Sequence, residues 1–240
     1  MSLRKKLRRL APKAAFAAAS YAYGSLPFVH LIASSKGIDL RKVGSKNLGG
    51  ANLWQSAGPT PGATGWLLDA SKGALPPLLA RKVGLDEKTA ALGAVLGVAG
   101  QCWPLFLGFS GGRGVSAVVG ASWVLAPKEM PLFFGAMVTA RLARFAPLLK
   151  EPENINKQEL LRLQEKQTRM GPLSVGLAIC ALPLVAYLRD RPREVVAATA
   201  ANAAVLLLRR ATADPAELAK RPDRLAAIVN RLLYDRSEAH

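Results

Sequence analysis

Uncharged stretches alternate with short polar, glycine-rich or basic ones along this 240-residue chain, and that alternation sets the first structural expectations. Residues 14 to 35, 89 to 112 and 170 to 188 contain no Asp, Glu, Lys or Arg. Each run is long enough to cross a bilayer core as a helix of roughly 18 to 25 residues. Four weaker apolar segments lie at about 62–80, 114–127, 131–149 and 195–208, with Asp69 and Lys72 inside the first of them. These rely on terminal Lys and Arg side chains reaching the interface. The pattern predicts an all-α protein, a multi-span membrane helical bundle with about seven transmembrane helices. Its basic start, Arg4 to Arg9, followed by small apolar residues is also the shape of a secretory signal. The apolar run continues through Tyr21, Tyr23 and Phe28, which favours a retained first span.

Between the spans, residues 36 to 61 read as a glycine-rich polar loop. Residues 150 to 169 read as a charged insertion forming an exposed helix, with Leu160, Leu161 and Leu163 on a narrow apolar side. From Ala211 the chain turns soluble in character. Leu225, Ile228, Val229, Leu232 and Leu233 follow the i, i+3, i+4, i+7, i+8 rhythm of an amphipathic helix, expected on the membrane surface or the cytosolic face. The division is a membrane domain over residues 1–208 and a cytosolic amphipathic tail over 209–240.

Charge adds orientation. Lys and Arg number 33 against 16 Asp and Glu, a net +17. Cations in the flanking loops fall more heavily on one side, placing the N-terminus outside and the C-terminus in the cytosol, although the Arg4 to Arg9 cluster pulls the other way. A basic stripe interleaved with stacking aromatics is missing, so nucleic acid is not the expected partner. Attraction to anionic membrane lipids accounts for the charge. Cys102 and Cys180 both sit in apolar spans and read as packing residues. The histidines are His30, inside a span, and His240, so no His–carboxylate pair and no His-based metal cluster can be assembled.

Three polar islands remain for chemistry. The first runs from Asp39 through Gly44, Ser45, Lys46, Asn47, Leu48, Gly49, Gly50 and Ala51 to Asn52. In the second, Asp69 and Lys72 stand three apart on one helical face. An intramembrane pair of this kind either neutralises itself structurally or lines a polar site. The third is Phe109-Ser110-Gly111-Gly112-Arg113-Gly114-Val115, where an apolar run stops in a glycine loop holding one cation. Bare backbone N–H groups ahead of a helix suit a phosphate, while a tight helix–helix turn would use the same glycines for geometry alone.

Taken as an ordered set, Gly24-Ser25-Leu26-Pro27, Gly44-Ser45-Lys46-Asn47-Leu48-Gly49-Gly50-Ala51-Asn52, Asp69-x-x-Lys72-Gly73 and Pro104-x-x-x-x-Phe109-Ser110-Gly111-Gly112-Arg113-Gly114-Val115 resemble the bacterial acyl-phosphate-dependent glycerol-3-phosphate acyltransferases. The resemblance covers roughly residues 20 to 127. It implies an enzyme of the inner (plasma) membrane that transfers a fatty acyl group from acyl phosphate to glycerol 3-phosphate in phospholipid synthesis, with no cofactor and no metal. By the same resemblance Ser45, Asn47 and Arg113 are the catalytic candidates, Arg113 standing where the family has lysine. Gly44, Gly49, Asn52, Asp69, Lys72, Gly111, Gly112 and Gly114 are the candidates for substrate or phosphate binding. Several positions depart from the family pattern. Gln101 stands in the place of a histidine and Gln55 in the place of an arginine. Near the C-terminus, anchoring on Arg231-Leu232, Ile228 occupies an asparagine position and Ser237 a glutamate position, with Glu238 one residue late. A catalytically inert relative that binds lipid or a partner, and a small transporter for a phosphorylated solute, are the competing readings.

Overall fold

A computed structural model describes residues 3–142 and 157–235, and all regular structure among them is helical. The elements are α1 (Leu3–Gly24), α2 (Phe28–Ser34), α3 (Gly50–Ala57), α4 (Pro59–Lys82), α5 (Glu87–Cys102), a 3-10 turn (Leu105–Leu107), α6 (Val115–Leu125), α7 (Met130–Leu142), α8 (Lys157–Leu188), α9 (Arg193–Ala211), α10 (Pro215–Lys220) and α11 (Arg224–Tyr234).

Proline sets two boundaries that the apolar pattern hides. The uncharged run 14–35 is not one span: α1 ends at Gly24, and the chain re-enters helix only after Pro27. Proline lacks an N–H and pushes the preceding residue out of the helical region. Likewise the run 89–112 is α-helical only to Cys102, because Pro104 follows; after the 3-10 turn, residues 108–114 form a loop. At its other end α5 is capped by Asp86, whose side chain accepts from the Thr89 N–H at 2.8 Å.

The charged insertion is helical from Lys157, as expected, but is not a separate element. Residues 157–169 continue without a break into the apolar stretch, giving one 32-residue helix, α8, roughly 48 Å long at 1.5 Å per residue. Residues 150–156 of the insertion, and 143–149 of the fifth expected span, lie outside the described residues.

Close helix approach is built from glycine. A methyl group at Gly97 would overlap the Lys72 carbonyl oxygen, one at Gly73 the Ala117 oxygen, and one at Gly120 the Ala70 oxygen. In a bilayer, where lipid tails are as apolar as leucine, such small-residue seams let backbones meet and pack. They pull α4, α5 and α6 into one unit, and Gly24 and Gly100 seat α1 on α5 in the same way.

A core of α5–α9 residues, including Val98, Val118, Leu125, Met130, Ile179 and Leu206, is buried. The outward faces are apolar too: Leu78, Trp123, Val138, Leu177, Leu184 and Leu188 are exposed. Mean hydropathy reaches 1.6 over Glu87–Leu107 and 1.9 over Gly171–Leu188. A bundle that is hydrophobic inside and out is suited to lipid rather than water.

One end of the bundle collects the C-termini of α1, α5 and α9 and the N-terminus of α6. The opposite end is tied by ion pairs: Lys13 of α1 with Asp86, Arg81 of α4 with Glu87 at 2.9 Å, and the buried Glu129 with Arg191 at 3.0 Å.

Helix α11 docks over the first end. Its Ala227 and Arg231 are buried, and Arg210 of α9 donates to the Leu232 carbonyl at 2.9 Å. Its Leu225, Val229 and Leu233 remain exposed as a stripe.

Candidate active site at the mouth of the bundle

The first loop is held by a single side chain. Asn52, 1% exposed at the start of α3, donates through Nδ2 to the carbonyls of Leu40 (3.1 Å), Val43 (3.1 Å) and Asn47 (3.0 Å). Its Oδ1 accepts from the Ser45 N–H at 3.1 Å. Leu40 and Leu48 anchor the loop in a small apolar cluster with Val29, Ala33 and Leu53. Gly44 has φ +55, and a methyl group there would overlap Asn52 Oδ1. Asn52 and Gly44 therefore shape the loop, and neither lines the cavity described below.

The glycine loop approaches from α5. A Cβ on Gly112 would lie 2.9 Å from the Leu48 carbonyl oxygen, so the first loop and the glycine loop meet backbone to backbone. Gly114, at φ +80, turns the chain into α6 above the Cys102 sulfur. From α9 the buried Arg209 completes the arrangement, donating Nε to the Gly112 carbonyl at 3.1 Å and Nη2 to the Gly111 carbonyl at 2.7 Å. A planar guanidinium fork suits two carbonyls in fixed register.

These contacts enclose a polar cavity of about 300 Å³. Asn47, Arg41, Lys46, Ser110, Gly111, Arg113 and Arg209 line it together with Leu48, Asp214 and Glu217. Asn47 and Arg113, 66 positions apart in sequence by their numbers, thus share one chamber. Asn47 Oδ1 is buried with no hydrogen-bond partner among the described residues. Arg113 is not bare: its Nε lies 2.7 Å from Asp235 Oδ1 and its Nη2 3.8 Å from Asp214 Oδ2. Burial raises the Asp235 carboxyl above its ordinary range, and Arg113 acts against that shift.

Directly beneath, Asp69, Lys72 and Gln101 form a closed triad, each no more than 6% exposed. Lys72 Nζ lies 2.9 Å from Asp69 Oδ1 and donates to Gln101 Oε1, while Gln101 Nε2 donates to Asp69 Oδ2 at 2.7 Å. The Phe28 ring sits 5.1 Å from Lys72 Nζ. The amide is suited to this place, since its two ends serve an anion and a cation at once. The triad borders a small cavity of about 10 Å³, which shares Leu48 and Gly111 with the larger one. Lys72 is thereby neutralised by its own helix, and does not line the larger chamber.

Of the residues expected from sequence, Asn47, Gly111 and Arg113 line the chamber, and Gly112 forms its backing wall. Ser45 is exposed, with its N–H held by Asn52; Gly49 is the residue before α3; neither lines the chamber. Gln55 is also exposed and does not line it. Ser237 and Glu238 lie outside the described residues, as does His240. Sequence reasoning held Arg41 and Lys46 only as members of the first polar island, without a role, and missed Arg209, Asp214 and Asp235. The one signal for Arg209 was the Arg209-Arg210 doublet closing an apolar run, where snorkelling to water is the ordinary expectation.

Residues 14–148 match the family described as glycerol-3-phosphate acyltransferase. The chain belongs to that family. A glycerol-3-phosphate acyltransferase of Rubrobacter xylanophilus is 45% identical over 129 residues, 53% of this chain and 65% of that relative. One of Gluconobacter oxydans is 42% identical over 131 residues, 53% of this chain and 62% of the relative. The aligned stretch thus spans just under two thirds of those relatives. The crystal structure of PlsY (YgiH), an integral membrane glycerol 3-phosphate acyltransferase, in its glycerol 3-phosphate form matches with a TM-score of 0.66 at 26% identity. It covers 83% of this chain and 88% of the other. The acyltransferase fold therefore extends past residue 148, where the family match stops. The protein is an integral membrane protein of this family.

Proposed function

We propose that this acyltransferase-family protein moves a fatty acyl group from acyl phosphate to glycerol 3-phosphate at the chamber between the first loop and the glycine loop. The observation that carries the reading is the convergence of Asn47 and Arg113 on one cation-rich chamber. The reaction forms an ester bond between a glycerol hydroxyl oxygen and the acyl carbon. It breaks the bond from that carbon to the phosphate oxygen, and the hydroxyl proton leaves with the released phosphate. Acyl phosphate is already activated, so positioning and charge neutralisation supply the catalysis. Arg113 and Arg209, with Lys46 and Arg41 at the rim, are the groups suited to phosphate oxygens. Asn47 Oδ1, buried and unpartnered, is suited to accept the hydrogen of the attacking hydroxyl. Arg41, Lys46 and Arg209 supply the cationic charge at a site from which Gln55 is absent.

The topology we propose agrees with this placement. The chamber opens to the cytosol of a bacterial inner membrane, the N-terminus lies outside and the C-terminus inside, and α1, α4, α5, α6, α7, α8 and α9 make seven crossings. Anionic lipids balance the net +17.

Purified protein in bilayers should release inorganic phosphate from acyl phosphate only when glycerol 3-phosphate is present, and should form lysophosphatidate in equal amount. Retained substrate binding without release would instead select an inert relative. Solute uptake into vesicles without acyl transfer would select a transporter.

A further inference from the structure

The end of the bundle away from the chamber carries a second cleft, of about 440 Å³, between the N-terminal halves of α5 and α9. Its floor is small and apolar: Ala91 and Val95 from α5, Ala198 and Ala201 from α9, with the half-exposed Leu92 on one wall. Positions 88, 91, 92 and 95 stand on one face of α5, and 194, 197, 198 and 201 on one face of α9. The cleft therefore runs along the helices for about 10 Å, the rise of seven residues. At its mouth stand Lys88 and Arg193, beside Glu194. Both cations are exposed, and neither has a carboxylate partner among the described residues.

We propose that this cleft is a lipid site. It takes one acyl chain of an anionic phospholipid from the leaflet opposite the chamber, with the phosphate headgroup against Lys88 and Arg193. Small side chains open a slot between two packed helices, and a slot facing hydrocarbon is filled by what surrounds it. The charge at the mouth then selects among lipids. Two unpaired cations and one carboxylate leave a net positive mouth, which a zwitterionic headgroup does not neutralise and an anionic one does. A crossing helix from another chain would find no apolar rim at this level, because Lys88, Arg193 and Glu194 occupy it. The site is separate from acyl transfer, and its test reads lipid retention and not turnover.

The experiment is native mass spectrometry of the full chain after delipidation and exposure to phosphatidylglycerol or phosphatidylcholine of matched chains. The expected result is one tightly retained phosphatidylglycerol, favoured over phosphatidylcholine about fivefold or more, the effect of one net charge at a membrane surface. Lys88→Gln combined with Arg193→Gln should abolish that preference while leaving acyl transfer unchanged. Ala201→Leu, which fills the slot, should lower retention of both lipids. Arg41→Gln, at the other mouth, should leave this retained lipid in place. Equal retention of the two lipids by the unaltered protein overturns the proposal, as does an unchanged preference in the doubly substituted variant. Self-association that Ala201→Leu abolishes would assign the cleft to a second copy and overturn it as well.

Discussion

Arg113 Nε stands 2.7 Å from Asp235 Oδ1, so the cation of the glycine loop is held by the residue that terminates α11. Asp214, at the start of α10, reaches the same guanidinium at 3.8 Å. Both aspartates adopt left-handed backbone, φ 45 and 56, a conformation that Asp and Asn tolerate better than most residues. The C-terminal segment thus places two carboxylates on a cation suited to phosphate, and an incoming anion must compete with them.

That competition predicts a pH dependence. Burial holds the folded Asp235 carboxyl above its usual value, with Arg113, Arg210 and Arg209 acting against the shift. A raised folded pKa means that ionisation of this group opposes folding. Its contribution to stability is greatest below the unfolded value of about 3.9, falls as pH rises through the folded value, and is flat above. Protonation in that window also frees Arg113. Binding of sulfate, a dianion throughout the range, should tighten as pH falls from 7.5 towards 4.5, by about fivefold for a partly exposed pair. Asp235→Asn should bind at the tight level at every pH. Isothermal titration over this range checks it, and a flat profile in the unaltered protein refutes it.

Arg209 gives the second prediction. Its fork spans two carbonyls, Gly111 and Gly112, whereas a lysine ammonium is a point charge that cannot hold both in register. Arg209→Lys keeps the charge and loses one charge-assisted hydrogen bond, worth about 1.5–3 kcal/mol. If that loss falls on the transition state, kcat/KM should drop about 10- to 100-fold. The acyl-transfer assay reads this directly, and a variant within twofold of the parent would remove the glycine loop from the rate-determining geometry.

The long apolar runs made the helical class and the membrane setting legible, because hydrocarbon imposes a length and a charge rule on any helix that crosses it. The ends of those helices were less legible. Pro27 and Pro104 stop α1 and α5 well inside uncharged stretches, and hydropathy does not register a missing N–H. In the site, the islands of Asn47 and Arg113 stood out as polar groups between apolar spans, and the family resemblance singled out these two residues within them. Arg209 and Asp235 did not stand out, since each belongs to a segment whose local pattern, a helix end and an amphipathic tail, already explains a charge. Only the fold reveals them as neighbours of the chamber, Arg209 by its bonds to the Gly111 and Gly112 carbonyls and Asp235 by the docking of α11 over α9.

Asn52 supplies a third prediction. In Asn52→Asp the Oδ1 acceptor for the Ser45 N–H survives, while the amide donors facing the Leu40, Val43 and Asn47 carbonyls become a second acceptor. A buried carboxylate oxygen against three carbonyl oxygens leaves each unsatisfied, at about 1–3 kcal/mol per group. The thermal midpoint in detergent should fall by several degrees and the acyl-transfer rate with it. Asn52→Ala should cost less, because an apolar group adds no repulsion. An order of stability with the alanine variant below the aspartate variant would show that the loop is held by something else.

The last prediction separates two glycines of similar sequence setting, each inside an apolar helix. At Gly73 a methyl group would overlap the Ala117 carbonyl oxygen and come within 2.8 Å of the Ala121 nitrogen, both backbone atoms of α6. Neither can swing aside as a side chain could, so α4 and α6 must separate, and α4 carries Asp69 and Lys72 with it. Overpacking of this kind costs about 1–3 kcal/mol, sometimes more. At Gly135, on α7, nothing lies within 4 Å of the same added methyl. There alanine gains helix propensity of about 1 kcal/mol at no steric cost. Gly73→Ala should therefore lower the thermal midpoint and impair acyl transfer, because moving α4 shifts Lys72 away from Gln101 beneath the glycine loop. Gly135→Ala should leave activity unchanged and the midpoint equal or higher. Equal effects of the two substitutions would mean that the close α4–α6 seam is not what holds the triad in place.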